Sequence, residues 1–246
     1  MLNIICTLIP GQLIQNQTNL TQNELENKLK QNGNLPEERA GHQIFNRGTS
    51  FISLGGYKQE VKGTSKKPAN VKNSLIQYDT NDNKWDNFDL VGNKSVLERN
   101  SFGAVYDEDN ETIYMCGGIT YFDKKYEVLN INNLITIQFN DNTVTILTIE
   151  ISMMKKELHS FTMSAQNDLL YIQGELTSDV SEDPNAMMYV INPVNSEAKS
   201  ISPPEFISEK MKVFGSTSLW VSEATLILLG GFTPPMGFGG RSIFLY

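Results

Sequence analysis

The chain has 246 residues, enough to bury a sizeable core as one large domain or two ordinary ones, and its 39% hydrophobic and 20% charged residues are typical of globular proteins. A formal net charge of −8 argues against a nucleic-acid-binding protein, because such proteins gain affinity by neutralising phosphates with Lys and Arg. No apolar run approaches 18 residues, which argues against a transmembrane helix.

The first predicted region is an N-terminal segment, residues 1–35. Its apolar run at 2–9 predicts a β-strand, and residues 21–31 predict a short helix with Thr21 as N-cap and Glu24 three residues later. The start of the chain lacks the basic flank and the small-residue cleavage site of a secretory signal. Two cysteines make no disulfide framework, so we expect a reducing, cytoplasmic compartment.

Residues 36–246 repeat one pattern, in which an apolar run ends in a glycine pair or a remnant of one. The spacings between successive glycine sites are 62, 56 and 57 residues, measured at Gly55, Gly117, Gln173 and Gly230. A fixed period of this size is typical of repeat architectures.

Each period is predicted to contain two β-hairpins. In the second unit, residues 101–118 are two apolar runs around an Asp- and Asn-rich turn, and residues 133–149 repeat that arrangement. Four short antiparallel strands therefore fit within one period. The predicted fold class is all-β, and a four-stranded unit of this period is typical of a propeller blade.

A set of residues recurs at fixed offsets from the glycines. The first unit has Arg39, Gly41, His42, Gly55, Gly56, Tyr78 and Trp85; the later units keep Arg99, Gly117, Gly118, Gly174, Gly230 and Gly231. In this combination residues 39–246 resemble the kelch-repeat proteins. The resemblance implies a kelch-type β-propeller of about four four-stranded blades, in which these residues have structural roles.

Each of these structural roles has a physical basis. Glycine at the end of a blade's second strand permits backbone torsions barred to other residues and close approach of a neighbouring strand. We expect Trp85 and the tyrosines to fill the wedge between twisted sheets, and the arginines to donate to carbonyls of the adjacent blade.

Closure of the ring has two alternatives. The four units supply three complete blades and three strands of a fourth, and residues 2–9 would supply the missing strand of a closed four-bladed ring. Alternatively, the ring is incomplete and completes itself against a partner chain.

Catalytic and metal-binding candidates are few. His42 and His159 are the two histidines, and a structural hydrogen bond from each is the favoured interpretation. No His or Cys cluster has metal-ligand spacing, and Cys6 and Cys116 are interpreted as small buried hydrophobes. We therefore predict no cofactor and no enzymatic activity.

The segments between the second and third strands differ most between units, and in a propeller they emerge on one face. They are predicted as binding loops of four kinds, a cationic, an aromatic, an acidic and an apolar one: Lys58, Lys62, Lys66 and Lys67; Tyr121, Phe122 and Tyr126; Asp179, Glu182 and Asp183; Phe232, Met236 and Phe238.

The predicted function is a non-enzymatic scaffold, or a subunit of a larger assembly, that binds other proteins through this loop face. The alternative is an enzyme acting on a sugar or small molecule in the central channel. The abundance of Asn, Lys and Ile suggests an AT-rich genome, where the resemblance implies a cytoskeletal or ciliary kelch protein.

Overall fold

A computed structural model describes residues 36–62, 65–122, 125–129, 133–151, 162–173, 188–201, 214–222, 225–232 and 243–245. Within these ranges the chain is all-β, as predicted, with several antiparallel sheets and one short 3₁₀ helix, Lys94–Leu97. The predicted strand at 2–9 and helix at 21–31 lie outside the described residues. In the part of the chain described, no helix has the length and hydrophobicity needed to cross a bilayer.

Sheet 1 is a four-stranded antiparallel meander built from the first repeat unit. Its strands, in spatial order, are β1 (Gln43–Arg47), β2 (Ser50–Leu54), β5 (Leu75–Asp79) and β6 (Lys84–Asn87). A separate two-stranded hairpin, β3 (Tyr57–Lys62) and β4 (Ser65–Asn70), is inserted between β2 and β5.

Sheet 2 repeats this plan and adds a fifth strand. Its meander consists of β8 (Gly103–Asp107), β9 (Thr112–Cys116), β12 (Asn133–Asn140) and β13 (Thr143–Glu150), with hairpin β10 (Ile119–Phe122) and β11 (Lys125–Val128) inserted after β9. The added strand, β7 (Asp89–Gly92), comes from the connection between the sheets and pairs parallel to β13.

Sheets 3 and 4 follow in chain order. Sheet 3 contains β14 (Thr162–Gln166), β15 (Leu169–Gln173), β16 (Met188–Asn192) and β17 (Glu197–Ile201). Its first hairpin turns on Asn167 and Asp168, whose φ angles of 50° and 60° fit a type I′ turn. Sheet 4 contains β18 (Phe214–Ser222), β19 (Thr225–Phe232) and β20 (Ile243–Leu245).

The sheets pack face to face in sequence order. A buried cluster that includes Ile52 and Leu54 from sheet 1 and Ile113 and Ile137 from sheet 2 joins the first two sheets. A second cluster, with Leu134 among its members, joins sheets 2 and 3.

Sheets 3 and 4 meet through both polar and aromatic contacts. The hydroxyls of Thr162 and Ser218 lie 3.1 Å apart, and Gln166 donates to the Ser222 carbonyl. The rings of Tyr171 and Trp220 pack edge to face with centroids 4.9 Å apart. The first strand of each sheet thus lies beside the first strand of the next.

Two details of the predicted repeat are wrong. Gly55-Gly56 and Gly117-Gly118 directly follow the second strand of their sheets, but Gly230 and Gly231 lie inside β19, where pairing continues to Phe232 opposite Phe214. The first two predicted loops are β-hairpins, because residues 57–62 and 119–122 pair with the segments that follow them.

Candidate docking face

The two inserted hairpins lie side by side and are joined by one amide side chain. Asn70, the last residue of β4, donates from Nδ2 to the Tyr121 carbonyl (3.1 Å) and accepts at Oδ1 from the Tyr121 amide (3.2 Å). These two bonds imitate the pairing that a neighbouring strand would give β10. Asn70 Nδ2 also lies 3.2 Å from the Thr120 hydroxyl. Hairpins from two different sheets therefore form one continuous surface, which we call the hairpin face (residues 57–62, 65–72 and 119–122).

Aromatic packing and backbone bridges hold the hairpin face to the sheets. The rings of Tyr57 and Tyr121 pack edge to face with centroids 5.9 Å apart. Tyr57 exchanges two backbone hydrogen bonds with Ala40, and Ile119 does the same with Asn100. Each hairpin is thus tied to the segment that leads into its own sheet, at an equivalent position in the repeat.

Two arginines at equivalent positions support the base of each hairpin. Arg39 donates to the carbonyl of Gly55, and Arg99 donates to the carbonyls of Gly117 (2.8 Å) and Val96 (2.5 Å). Burial lowers the pKa of Arg99 to about 10, so the guanidinium remains charged at neutral pH. These side-chain bonds stay within each arginine's own repeat unit, whereas the expectation was a contact to the adjacent blade.

The link between units is made by the backbone instead. The amide of Gly56 donates to the carbonyl of Arg99 at 2.8 Å. Gly55 has a φ of +67°, and a Cβ placed there would lie 2.5 Å from the Arg99 carbonyl oxygen and against the Phe102 ring. A side chain at this position would clash, which explains why glycine is required where sheets 1 and 2 meet.

The predicted cationic character of the first segment is partly neutralised. Glu37, which precedes β1, forms a 2.8 Å ion pair with Lys58 and accepts the Lys72 backbone amide at 2.7 Å. Partial burial acts to raise the pKa of Glu37, but the bonds from Lys58 and Lys72 outweigh it and hold the pKa below its usual value. Lys67 and Lys72 remain exposed on this surface.

The other predicted binding residues are placed to different extents. Phe122 and Tyr126 belong to β10 and β11, Lys62 and Lys66 to β3 and β4, and Phe232 ends β19. Seven of the predicted residues lie outside the described part of the chain: His159, Gly174, Asp179, Glu182, Asp183, Met236 and Phe238.

The predicted wedge residues Tyr78 and Trp85 contact each other. They are directly opposite on β5 and β6, with ring centroids 5.1 Å apart, and Tyr78 donates to Asn83. They lie on the face of sheet 1 that points away from sheet 2, so the wedge between these two sheets is filled by other residues.

A cavity of about 530 Å³ lies among the first strands of all four sheets. Its polar lining includes Gln43, Asn46, Tyr106, Thr162 and Ser218. Burial and the nearby Glu111 carboxylate raise the pKa of Tyr106 to about 12, so this phenol stays protonated at neutral pH.

Titratable groups elsewhere in the described residues offer little chemistry. Burial and the charge of Arg39 lower the pKa of His42, and burial raises the pKa of the Cys116 thiol. Among the residues described, no group of three or more His, Cys, Asp and Glu side chains is arranged to hold a metal ion.

Sequence reasoning did not single out Asn70 and Glu37, which organise the hairpin face. A usable signal was the short motif before each first strand: Glu38-Arg39, Glu98-Arg99 and Glu157-Leu158 occupy the same place in three units. Aligning the units on this motif would have marked the preceding residues as part of the repeat.

A comparison with models of known protein families finds no match for the chain, and no curated protein matches it either.

Proposed function

We propose that this chain is a kelch-like β-propeller scaffold that docks other proteins through its hairpin face, as a subunit of a larger assembly. The observation that carries the proposal is the coupling of two hairpins by Asn70. An isolated two-stranded hairpin is marginally stable in water, whereas two hairpins clamped together and anchored to sheets present a preorganised surface.

The propeller arrangement is supported by repetition and by the cavity. Four sheets follow in chain order, and their first strands line one cavity. The Arg39–Gly55 contact is repeated as Arg99–Gly117 at the next sheet. Equivalent contacts at equivalent positions are what repeating blades around an axis would produce.

The chemistry of the hairpin face indicates the kind of protein it would bind. Tyr57 and Tyr121 supply aromatic surface, and the exposed Lys67 and Lys72 supply positive charge. Tyrosines anchor protein interfaces, while charged groups at the rim steer association and select partners. The partner surface would therefore combine apolar contacts with acidic side chains.

An enzyme acting in the central cavity has less support. Among the residues that line the cavity in the described part of the chain, Tyr106 is the single titratable side chain, and it stays protonated at neutral pH. General acid–base chemistry works best with a group whose pKa lies near the working pH.

The test compares the proteins that co-purify with tagged full-length variants expressed in the cells of origin. Reversing charge on the hairpin face with Lys67→Glu and Lys72→Glu is expected to deplete specific partners. The matched control, Lys94→Glu with Lys199→Glu, changes the net charge equally at two exposed lysines away from that face.

Quantitative mass spectrometry reads out the result. The proposal predicts partners that the control retains and the hairpin variant loses by tenfold or more, since each lost contact is worth about 1 kcal/mol. Equal recovery from both variants would overturn the hairpin face as the docking surface.

A further inference from the structure

The cavity among the four first strands is lined by sheet edges. Strands β1, β8, β14 and β18 each lie at one end of the strand order of their sheet, so each has a strand neighbour within the sheet on one side only. An edge strand presents a row of backbone N–H and C=O groups that its own sheet does not pair. Because all four of these strands line one cavity, their edges supply it with backbone donors and acceptors.

The polar side chains of the lining add neutral hydrogen-bonding groups. Gln43 donates from Nε2 to the Phe102 carbonyl at 2.7 Å, which leaves its Oε1 as an acceptor. The hydroxyls of Thr162 and Ser218 share one hydrogen across 3.1 Å, so the second hydroxyl hydrogen can be donated to another group. The cavity therefore holds donors and acceptors side by side.

Asn46 and Ile44 form the accessible wall of the cavity on β1. Asn46 is the most exposed polar residue of the lining, and its amide offers both donors and an acceptor. Ile44 lies two residues earlier, on the same face of the strand, and is 37% exposed. A ligand entering from solvent would meet an amide and an aliphatic side chain next to each other.

Charge is missing from this lining. None of the residues that line the cavity in the described part of the chain is ionised at neutral pH. Arg47, at the end of β1, pairs with Glu111 and packs over the Phe139 ring. Asp107, at the end of β8, accepts from the backbone amide and the side chain of Asn110. A charged ligand would therefore lose hydration in the cavity without gaining a counter-ion.

We propose that this cavity binds a neutral polyhydroxylated molecule, a mono- or disaccharide or a cyclic polyol, without transforming it. Hydroxyl groups both donate and accept, which matches the mixed backbone and side-chain groups of the lining. The C–H face of a sugar ring would pack on Ile44. The cavity volume of about 530 Å³ is typical of small-molecule sites.

Other classes of ligand fit the lining less well. An apolar molecule would bury hydrogen-bonding groups without partners, which costs binding free energy. A peptide short enough to fit would bring charged termini into an uncharged lining. Binding without turnover is expected, because no lining residue in the described part of the chain titrates near neutral pH.

The experiment titrates the full-length chain with glucose, galactose, mannose, N-acetylglucosamine, maltose, lactose and myo-inositol, followed by isothermal titration calorimetry and saturation-transfer NMR. At least one of these probes is expected to bind with a dissociation constant of about 1 mM or lower. Glucuronate and galacturonate carry a carboxylate in place of a hydroxymethyl group. Both should bind at least tenfold more weakly than the tightest neutral probe, because the carboxylate finds no counter-ion.

Two variants locate the binding site. Asn46→Leu removes the exposed amide of the lining and is expected to weaken binding of the tightest probe at least tenfold. Asn87→Leu is the matched control: it makes the same change at an exposed residue of the outer strand β6 and should bind like wild type. Ser218→Ala removes one hydroxyl of the lining and should also weaken binding, with circular dichroism confirming retained β-structure in each variant.

Three outcomes would overturn the proposal. They are the absence of binding by every neutral probe, uronate binding as tight as that of the tightest neutral probe, and unchanged binding in both Asn46→Leu and Ser218→Ala. The inference does not rest on the hairpin face. Lys67→Glu with Lys72→Glu should leave probe binding intact, so failure of the docking proposal and failure of this one are distinguishable.

Discussion

Sheets 1 and 2 are two copies of one structural unit placed in different surroundings. Both consist of a four-stranded meander with an inserted hairpin, an arginine bonded to the first glycine carbonyl, and a backbone bridge at the base of the hairpin. Sheet 2 contributes residues to both buried clusters, one on each of its faces, whereas sheet 1 contributes to one of them.

The difference shows that the repeat fixes backbone geometry while the neighbours decide burial. Arg99 is 5% exposed and bonds two carbonyls at short distance, whereas Arg39 makes longer bonds and keeps one nitrogen without a partner. His42 and Phe102 also occupy equivalent positions, each directly before the first strand of its sheet. Phe102 is buried against Gly55, whereas His42 is half-buried. Four predictions test this contrast.

The largest effect is expected at the junction of the two sheets. Gly55→Ala should lower the free energy of unfolding by about 4 kcal/mol, because residue 55 has a positive φ and the new Cβ would collide with the Arg99 carbonyl and the Phe102 ring. Gly48→Ala is the control. Residue 48 has a φ of +58° but open space around the new Cβ, so the free energy of unfolding should fall by about 1 kcal/mol. If urea unfolding gave the two variants equal losses of stability, sheets 1 and 2 would not approach each other closely at Gly55.

A smaller effect should separate the two arginines. Arg99→Ala leaves the Gly117 and Val96 carbonyls without their donor in a buried site, at a cost of about 3 kcal/mol. Arg39→Ala removes longer, partly exposed bonds and should cost about 1 kcal/mol. Denaturant unfolding of both variants ranks them, and the reverse order would contradict the tighter packing and shorter hydrogen bonds of Arg99.

The hairpin face gives a local rather than a global effect. Asn70→Ala should accelerate hydrogen exchange of the Tyr121 amide about tenfold, because that amide loses its acceptor. Exchange in β12 should remain unchanged, as should exchange at Tyr121 in the control variant Asn87→Ala on outer strand β6. An unaltered Tyr121 rate in Asn70→Ala would mean that the hairpins are not coupled.

The smallest effect concerns pH. The pKa of Glu37 is lowered from its ordinary 4.5, so the ionised carboxylate stabilises the folded state above that value. This contribution is lost as pH falls through the folded-state pKa. Glu37→Gln should therefore be less stable than wild type at pH 7, by less than about 1 kcal/mol, and equally stable well below pH 4. A difference that persists in acid would contradict an ionic role.

Much of the fold follows from short-range signals in the sequence. The glycine period predicted the ends of β2 and β9, and the Asp- and Asn-rich turns predicted the hairpins of the first three sheets. These features depend on local torsions, which the residues themselves determine. The sequence also predicted Lys58 and Tyr121 as surface residues. It placed them in loops, whereas the structure places them in strands β3 and β10.

What was missed depends on contacts between distant segments. The lysines and Pro68 of residues 57–70 look like a loop, yet the segment is a hairpin held by Ala40 and Asn70. Strand β7 is four residues long and owes its pairing to β13, against which Gly92 packs too closely for a side chain. Gly230 and Gly231 lie inside a strand because β18 extends to pair with them.

The most direct test of the sheet arrangement is a disulfide between neighbouring first strands. Thr162 and Ser218 have hydroxyl oxygens 3.1 Å apart, so Thr162→Cys with Ser218→Cys should form a cross-link under mild oxidation, detected by mass spectrometry of peptides. Thr162→Cys with Leu219→Cys should not, since Leu219 lies on the opposite face. Efficient cross-linking of the first pair alone is the predicted result, and free thiols at both positions would contradict the face-to-face packing of repeat sheets.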